Sequence, residues 1–223
     1  SSDLLQVEAL LFGQAGLLQS ETPDDYERQL RMEYEILKTK HNLLPLSPCI
    51  WNFGKVRPSN SPLLRLAQLA VVINRASHLA SSLLHLEEPE LSRLLSVETN
   101  PYWQYHKRFG SLRKKEMSTA PGKKSVHQII LNVAVRLRFA HGKYYNNESI
   151  ITDALNLLHS LPAEQNLIIE EWEQLRIISE HAGDSQALIQ LYNVYCAHEK
   201  CIDCPIGISL LQNESHETHT QPA

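Results

Sequence analysis

The chain has 223 residues, of which 43% are hydrophobic and 7% aromatic, and its formal net charge at pH 7 is −4. This length allows one sizeable domain or two small ones, and this apolar fraction is enough for a buried core. With only 8 glycines, and with 4 cysteines in so long a chain, the composition favours helices over strands, argues against a secreted disulfide framework and predicts a cytoplasmic protein.

The spacing of apolar residues predicts an all-α fold, an irregular multi-helix bundle of about eight or nine helices with long connecting loops. Residues 1–211 are predicted to form a single helical domain, and the polar residues 212–223 a disordered tail. The chain opens directly in a helical pattern without a secretory signal. We therefore expect a fragment whose partner is the N-terminal region of the same protein.

Two amphipathic helices are predicted at the start of the chain. The first covers about residues 3–18, and its apolar stripe consists of Leu4, Val7, Leu11 and Leu18. The second covers about residues 24–41, with Asp24 and Asp25 near its positive N-terminal end. Its predicted buried face consists of Tyr26, Leu30, Tyr34 and Leu37.

A long proline-containing connection follows over residues 42–61. A connection of this length in a compact domain either packs against the core or has a function, and its aromatic residues Trp51 and Phe53 favour packing. Cys49 is predicted to be a small buried apolar residue rather than a metal ligand.

The segment that begins at Pro62 predicts the central helix of the fold. It is apolar on nearly every side through Ile73, which is typical of a helix surrounded by others, and helical spacing continues to Leu86. Polar residues interrupt the apolar run, so no membrane span is predicted. One of them, Gln68, is expected to have a hydrogen-bonding partner, and the alternative is that it lines a pocket. A short helix is predicted after Pro89.

A basic segment with aromatic neighbours lies near the middle of the chain. Residues 107–124 include seven cationic side chains and a single carboxylate, Glu116. The local formal charge is therefore +6, and the rest of the chain carries −10. Such asymmetry attracts phosphates, and aromatic rings beside cations can stack on unpaired bases. The candidate nucleic-acid-binding residues are Lys107, Arg108, Arg113, Lys114, Lys115, Lys123 and Lys124. The alternative is a solvated loop whose aromatic neighbours are buried on the preceding helix.

Helical spacing resumes after the basic segment, at about residues 125–142, 147–162 and 163–183. The first of these helices has β-branched residues that also allow a strand. Its predicted buried face consists of Val126, Ile129, Ile130, Val133, Ala134 and Leu137. The second is capped by Asn147 or Ser149. The third is predicted to bury Leu167, Ile168, Trp172 and Leu175.

The last predicted helix begins at Asp184, its N-cap, and leads into three cysteines. Its apolar face, which we expect to dock, consists of Leu188, Leu191, Tyr192 and Tyr195. The candidate metal ligands are Cys196, Cys201 and Cys204, whose C-x4-C-x2-C spacing can supply three thiolates if the chain turns after the first.

The nature of this cysteine segment stays open at the level of sequence. Structural zinc normally takes four ligands, and no fourth is obvious among the remote Cys49 and the scattered histidines. The alternatives are zinc, an iron–sulfur cluster, or buried or free thiols, and the last is favoured. The segment is interpreted as a C-terminal staple, in which any metal would fasten the last helix to the domain. No cofactor is therefore assigned.

Several groups of residues together carry a family resemblance. They are Arg57, Pro58 and Asn60; Arg65, Ala67, Gln68, Leu69 and Ala70; Tyr102, Trp103, His106, Phe109 and Gly110; Leu161, Pro162, Ala163, Glu164 and Asn166; Ser185, Gln186, Ala187 and Leu188; and Tyr195, Cys196, Cys201, Cys204 and Gly207. On these residues the chain resembles the C-terminal half of an uncharacterised bacterial family, a domain of unknown function. The resemblance implies longer full-length members with nuclease-like N-terminal halves, and it implies no established activity.

The resemblance also suggests that Arg57, Asn60, Gln68 and His106 share a polar network inside the helical domain. No catalytic constellation, phosphate-binding glycine loop or zinc-hydrolase motif is present in the sequence. We therefore expect a helical accessory or interaction module of a larger bacterial protein, associated with nucleic acid through its basic segment. One alternative is part of a hydrolytic, nuclease-like enzyme whose catalytic residues lie mainly outside this chain, and another is a purely structural helical scaffold.

Overall fold

A computed structural model describes residues 3–53, 60–76 and 78–217, with side chains described through residue 212. The described chain is mostly helical and contains a small two-stranded sheet, so the all-α prediction is confirmed. No helix within these ranges combines the length and the apolar character that crossing a bilayer requires. Arg57 and Pro58 lie outside the described residues.

The chain divides into two compact units, residues 1–138 and 139–223. The single helical domain over residues 1–211 stays a prediction. Within the tail that we predicted to be disordered, residues 212–217 belong to the last helix, and the residues after them lie outside the described ranges.

The described part of the first unit is mostly helical and contains one hairpin, and its last helix continues past residue 138. Its elements are α1 (Leu4–Gln14), α2 (Asp25–His41), a 3-10 turn (Pro48–Ile50), α3 (Pro62–Arg75), α4 (Leu79–His85), α5 (Glu88–Leu95), α6 (Tyr102–Tyr105), β1 (His106–Arg108), β2 (Ser111–Leu112), α7 (Lys123–Ile129), a π-helical segment (Ile130–Val135) and α8 (Arg136–Tyr144). The elements of the second unit are α9 (Glu148–Ser160), α10 (Leu167–Gln174), α11 (Ala182–Val194), two 3-10 turns (Cys196–His198 and Cys201–Asp203) and α12 (Pro205–Glu217).

Helices α1, α2 and α3 pack around the core of the first unit. The predicted face of α2 is confirmed, with Leu30 and Tyr34 buried. The predicted stripe of α1 is only half-buried, and the buried residues of this helix are Glu8, Ala9, Phe12 and Gly13. A Cβ atom on Gly13 would lie 2.2 Å from the Tyr34 ring, so α1 is turned to bring its small residue against that ring.

The predicted continuous central helix is interrupted. Helix α3 ends at Arg75, and the chain becomes extended at Ala76 before α4 begins. The buried Arg138 donates from Nε to the carbonyl of Leu83 at 2.9 Å and from Nη2 to the carbonyl of Leu86. This guanidinium thus satisfies carbonyls at the C-terminal end of α4.

The predicted helix at residues 125–142 is confirmed and extends over residues 123–144, with a π-helical segment in its middle. The predicted buried face is correct for Val126, Ile130 and Ala134 and wrong for Val133 and Leu137. Val133 and Leu137 are exposed, whereas Leu131 and Val135 are buried. The wider π turn explains the difference, because it rotates the residues that follow relative to a regular helix.

The connection after α2 packs against the end of α1, as predicted from Trp51. The indole Nε1 of Trp51 donates to the carbonyl of Ala15 at 2.7 Å, and the amide of Leu46 donates to the carbonyl of Gln14 at 2.8 Å. The prediction fails for two other residues. Phe53 is 50% exposed, and Cys49 is exposed because it lies on a 3-10 turn at the surface.

In the second unit, Asn147 caps α9 as predicted, and α11 packs against α9 and α10. The predicted N-cap of α11 is wrong: His181 is the cap, and Asp184 is the reciprocal partner at the third helical position. Helix α10 ends at Gln174 instead of near residue 183. Ile169 is buried in this helix, whereas the predicted Leu167 and Leu175 are both exposed.

Candidate functional site

A cleft of about 790 Å³ opens within the first unit. Its walls come from the connection after α1, the connection before α3, the start of α3, and the hairpin. The described residues that line it are Gly16, Leu17, Gln19, Ser20, Pro48, Phe53, Ser61, Pro62, Leu63, Lys107, Arg108, Phe109, Ser111 and Arg113. Three of these residues are cationic, and no described lining residue is a carboxylate. The cleft is therefore a concave surface of one charge sign.

The structure divides the seven predicted nucleic-acid-binding residues among different places. Lys107, Arg108 and Arg113 line the cleft. The exposed Lys114 and Lys115 follow β2 and do not belong to the described lining. The remaining two, Lys123 and Lys124, begin α7, and Lys123 lines a separate cavity of about 400 Å³ together with Glu88, Ser92, Arg93, Ser96, Val126 and His127.

The cations of the cleft lie on or beside a β-hairpin where the sequence predicted only a loop. Strands β1 and β2 are antiparallel, and His106 pairs with Leu112 while Arg108 pairs with Ser111. Gly110 lies in the turn with φ +67°, a left-handed conformation that favours glycine. The pair Phe109–Gly110 between short polar runs is the only sequence signal for this hairpin, and it is weak because each strand has at most three residues.

Asp24 fixes the turn of this hairpin from the neighbouring helix. Its Oδ1 accepts a hydrogen bond from the amide of Glu27 at 2.8 Å and caps α2. Its Oδ2 accepts from the Tyr102 hydroxyl at 2.5 Å and from the amide of Gly110 at 3.0 Å. Partial burial raises the pKa of Asp24, but these hydrogen bonds outweigh it and hold the pKa below its ordinary value. The carboxylate therefore ties the hairpin to the start of α2.

A second part of the cleft lining, at Ser20, is held by the same helix. The guanidinium of Arg31 donates to the carbonyl of Ser20 at 2.6 Å and to the carboxylate of Glu27 at 2.7 Å. The amide of Ser20 donates to the same Glu27 oxygen at 3.1 Å. Glu27 is fully buried, and its pairing with Arg31 compensates its charge there. The first two turns of α2 thus hold both Ser20 and the hairpin in place.

An aromatic cluster packs against the hairpin at Phe109. The ring centroids of Trp103 lie 5.4 Å from Phe12 and 5.2 Å from Phe109. Tyr102 stacks on His106, with centroids 3.8 Å apart and planes nearly parallel. Trp103 is buried, while Tyr105 is 46% exposed. The aromatic residues ahead of the basic segment are therefore only partly buried, and Phe109 both packs in the cluster and lines the cleft.

A second carboxylate–tyrosine pair lies deeper in the same unit. The Tyr26 hydroxyl donates to Oε2 of Glu8 at 2.7 Å, and Glu8 is fully buried. Burial raises the pKa of Glu8 to about 7, although hydrogen bonds from Tyr26 and Asn100 oppose the shift. Sequence reasoning missed Glu8, because a carboxylate in an amphipathic helix is normally assigned to the solvent face.

The proposed polar network is present in part. The Arg65 guanidinium donates to Gln68 at 2.9 Å and to Asn60 at 2.7 Å, and the Gln68 amide donates to the carbonyl of Thr119 at 2.6 Å. The prediction that Gln68 has a hydrogen-bonding partner is confirmed. His106 belongs to a different group, because its Nδ1 lies 2.8 Å from the carbonyl of Tyr102.

The cysteine segment turns after Cys196, as a shared site would require. Glu199 has φ +54° between the two 3-10 turns. Cys196 and Cys201 are exposed and Cys204 is buried, and a Cβ atom on Gly207 would lie 2.1 Å from the Cys201 carbonyl oxygen. In the part of the chain that the structure describes, no three His, Cys, Asp or Glu side chains are grouped to hold a metal ion. Metal binding by the three cysteines stays a prediction.

Comparisons with known proteins bear on the first unit and on part of the second. No curated protein and no solved structure matches the chain significantly. One family model, described as a protein of unknown function (DUF2851), matches residues 1–167. The matched region contains the cleft, the hairpin and both carboxylate–tyrosine pairs, and it ends before α11 and the cysteine segment. The chain therefore belongs to the DUF2851 family.

Proposed function

We propose that this chain is a nucleic-acid-associated helical module that binds the phosphate backbone in the cleft beside the hairpin. The observation that carries the proposal is the lining of the cleft, in which three cations are present without a described carboxylate. A concave surface of one sign concentrates counter-ions and favours a polyanion over a neutral ligand.

The side chains of the hairpin suit this role. Lys107 and Arg108 are exposed, and within the described ranges no carboxylate forms an ion pair with either. Arg108 offers a planar fork of donors that matches a phosphate. Arg113 is held in place, because its Nε donates to the carbonyl of His106 at 3.0 Å. Positioned cations with few internal partners can exchange water and salt ions for phosphate at low cost.

The proposal includes a setting inside a longer, cytoplasmic bacterial protein. The low cysteine usage supports the compartment, and the family resemblance supports the bacterial origin and the longer chain. The hydrolytic alternative places its catalysis mainly outside this chain. Assaying the intact protein for metal-dependent hydrolysis of nucleic acids would test that alternative.

The test compares two double variants in the basic segment. Each variant replaces two cationic side chains by glutamate, so both change the formal charge equally. Fluorescence anisotropy with a labelled oligonucleotide is measured for K107E/R108E and for K114E/K115E between 50 and 200 mM salt. We expect the cleft variant to lose at least about tenfold in affinity and its salt slope to fall by roughly 1.4, the value for two phosphate contacts on a single strand. The variant outside the described lining should lose less.

Two results would contradict the proposal. Absence of binding by the unaltered chain at low salt would remove nucleic-acid association altogether. Equal losses in the two variants would show that net charge in the basic segment, rather than the cleft, determines binding. Unfolding curves of both variants should match that of the unaltered chain, because all four substituted side chains are exposed.

A further inference from the structure

Resting on the proposed phosphate binding, we propose that the cleft selects unpaired nucleotides, with a base stacked on Phe53 while Lys107 and Arg108 hold the adjoining phosphates. The inference concerns the class of nucleic acid, since phosphate contacts alone do not distinguish a single strand from a duplex. It depends on where the aromatic and cationic side chains lie in the cleft.

The exposed ring of Phe53 in the cleft is the main support for this inference. It lies two residues after Trp51, whose indole is hydrogen bonded to Ala15 and ties the connection to α1. The Phe53 ring remains 50% exposed although it lines the cleft. An exposed ring on an anchored connection beside cations is the arrangement on which single-stranded nucleic acids stack their bases.

Phe109 supplies a second aromatic surface in the same cleft. Its ring centroid lies 5.2 Å from Trp103 and 5.4 Å from Phe12, so its position is fixed by packing. It follows Lys107 and Arg108 directly in the hairpin. The cleft therefore combines a fixed ring and an exposed ring with phosphate-binding cations, and this combination needs no particular base sequence, since every base has a π face.

The shape of the cleft favours a single strand. A volume of about 790 Å³ lies in the range of concave sites that enclose small ligands, and a flexible strand can enter such a site. Inside a duplex, both faces of each base are already stacked on neighbours, so Phe53 would have no base to contact.

The experiment uses three labelled probes of equal length: a single-stranded DNA, the corresponding duplex, and an abasic strand that has the phosphates without the bases. The unaltered chain should bind the single strand about tenfold more tightly than the abasic strand, because each stacked base contributes about that factor. It should also bind the single strand more tightly than the duplex. F53A should lose this advantage for the single strand and keep its affinity for the abasic strand.

Two further variants sharpen the test. F53W should retain or strengthen single-strand binding, because it enlarges the stacking surface. F139A removes another partly exposed phenylalanine, 40% exposed in the second unit, and should leave all three affinities unchanged. R108E should weaken binding to the single strand and to the abasic strand alike, which separates the phosphate contact from the base contact.

The outcomes distinguish this inference from the function on which it rests. Equal affinities for the three probes, unaffected by F53A, would overturn the selection of unpaired bases and leave phosphate binding standing. A loss of abasic binding in F53A would also overturn it, because that loss does not involve a base. If none of the probes binds at 50 mM salt, both the inference and the proposed function are wrong.

Discussion

Two carboxylate–tyrosine pairs lie side by side in the first unit, and the pKa values of their carboxyl groups are shifted in opposite directions. Glu8 accepts a hydrogen bond from Tyr26, and Asp24 accepts one from Tyr102. The two tyrosine rings stack with centroids 4.2 Å apart. Burial raises the pKa of Glu8 to about 7, whereas hydrogen bonds hold the pKa of Asp24 below its ordinary value.

The number of donors and the access to water explain the difference. Asp24 lies at the N-terminus of α2, where two backbone amides and a hydroxyl donate to it and the helix dipole favours a negative charge. Glu8 lies in the middle of α1, where no comparable set of backbone donors compensates its burial. The same pair of residue types therefore gives a charged anchor for the hairpin in one place and a titrating buried acid in the other.

The largest expected effect is the pH dependence that Glu8 confers on stability. Its folded pKa of about 7 exceeds its ordinary value of 4.5, so the folded chain holds a proton that the unfolded chain has lost. The contribution of Glu8 to the free energy of unfolding is then full below about pH 4.5 and declines as the pH rises to about 7, by about 3 kcal/mol in total.

E8Q keeps an acceptor for Tyr26 and cannot ionise. The free energy of unfolding of E8Q relative to the unaltered chain should therefore rise by about 3 kcal/mol between pH 4.5 and 8, measured by urea unfolding.

Glu21 provides the matched control for this measurement. It is exposed in the connection after α1, and E21Q makes the same chemical change without removing a buried charge. Its difference from the unaltered chain should stay within about 0.5 kcal/mol at every pH. A pH-independent difference for E8Q would mean that Glu8 ionises in the folded chain as easily as in the unfolded one.

Asp24 should show an effect of about 1 to 2 kcal/mol with a different dependence on pH. In D24N the amide oxygen can still cap α2, but the NH2 group then faces the Gly110 amide, so the hydrogen bond that fixes the hairpin is lost. Because the folded pKa of Asp24 is lowered, the loss should be complete near neutral pH and should vanish in acid as Asp24 itself becomes protonated. Oligonucleotide affinity should fall together with stability, because the hairpin carries Lys107 and Arg108.

Asp25 provides a control that separates the loss of the Asp24 hydrogen bonds from the loss of a negative charge. Asp25 is 88% exposed and pairs with Arg28 on the helix surface, so D25N should change stability by no more than about 0.5 kcal/mol. If D24N and D25N weakened oligonucleotide binding equally, the hydrogen bond to Gly110 would have no part in positioning the hairpin.

This contrast shows why the fold was easier to predict than the site. Helical periodicity is local, so the existence of most helices and the buried face of α2 followed from the sequence. The face of α1 did not, because it depends on the contact between Gly13 and Tyr34, which lie in different helices. The C-terminal end of α4 likewise has its carbonyls satisfied by Arg138, which lies far along the chain. These long-range contacts leave no periodic signal.

The sequence identifies the kinds of residue at the site, but it does not show which of them lie together or which of them are exposed. The positive charge of the basic segment is visible in composition, yet only the fold shows that Lys107, Arg108 and Arg113 share a cleft without Lys114 and Lys115. Phe53 was assigned to packing, because an aromatic residue in a long connection is normally buried. The polar partners of Asp24 come from residues 78 and 86 positions away. Such pairs are set by tertiary packing alone.

The smallest expected effects come from the two tyrosine hydroxyls, and they offer the finest test of the contrast. Y102F and Y26F each remove one hydroxyl while keeping the ring stack, at a cost of about 1 kcal/mol. Because a hydrogen bond to a carboxylate is stronger when the carboxylate is ionised, the cost of Y26F should grow as the pH rises through about 7, where Glu8 titrates. The cost of Y102F should be constant there and should decrease only in acid, where Asp24 becomes protonated. Urea unfolding of both variants across pH 3 to 9 measures the two dependences, and identical pH profiles would show that the paired carboxylates do not differ in the folded chain.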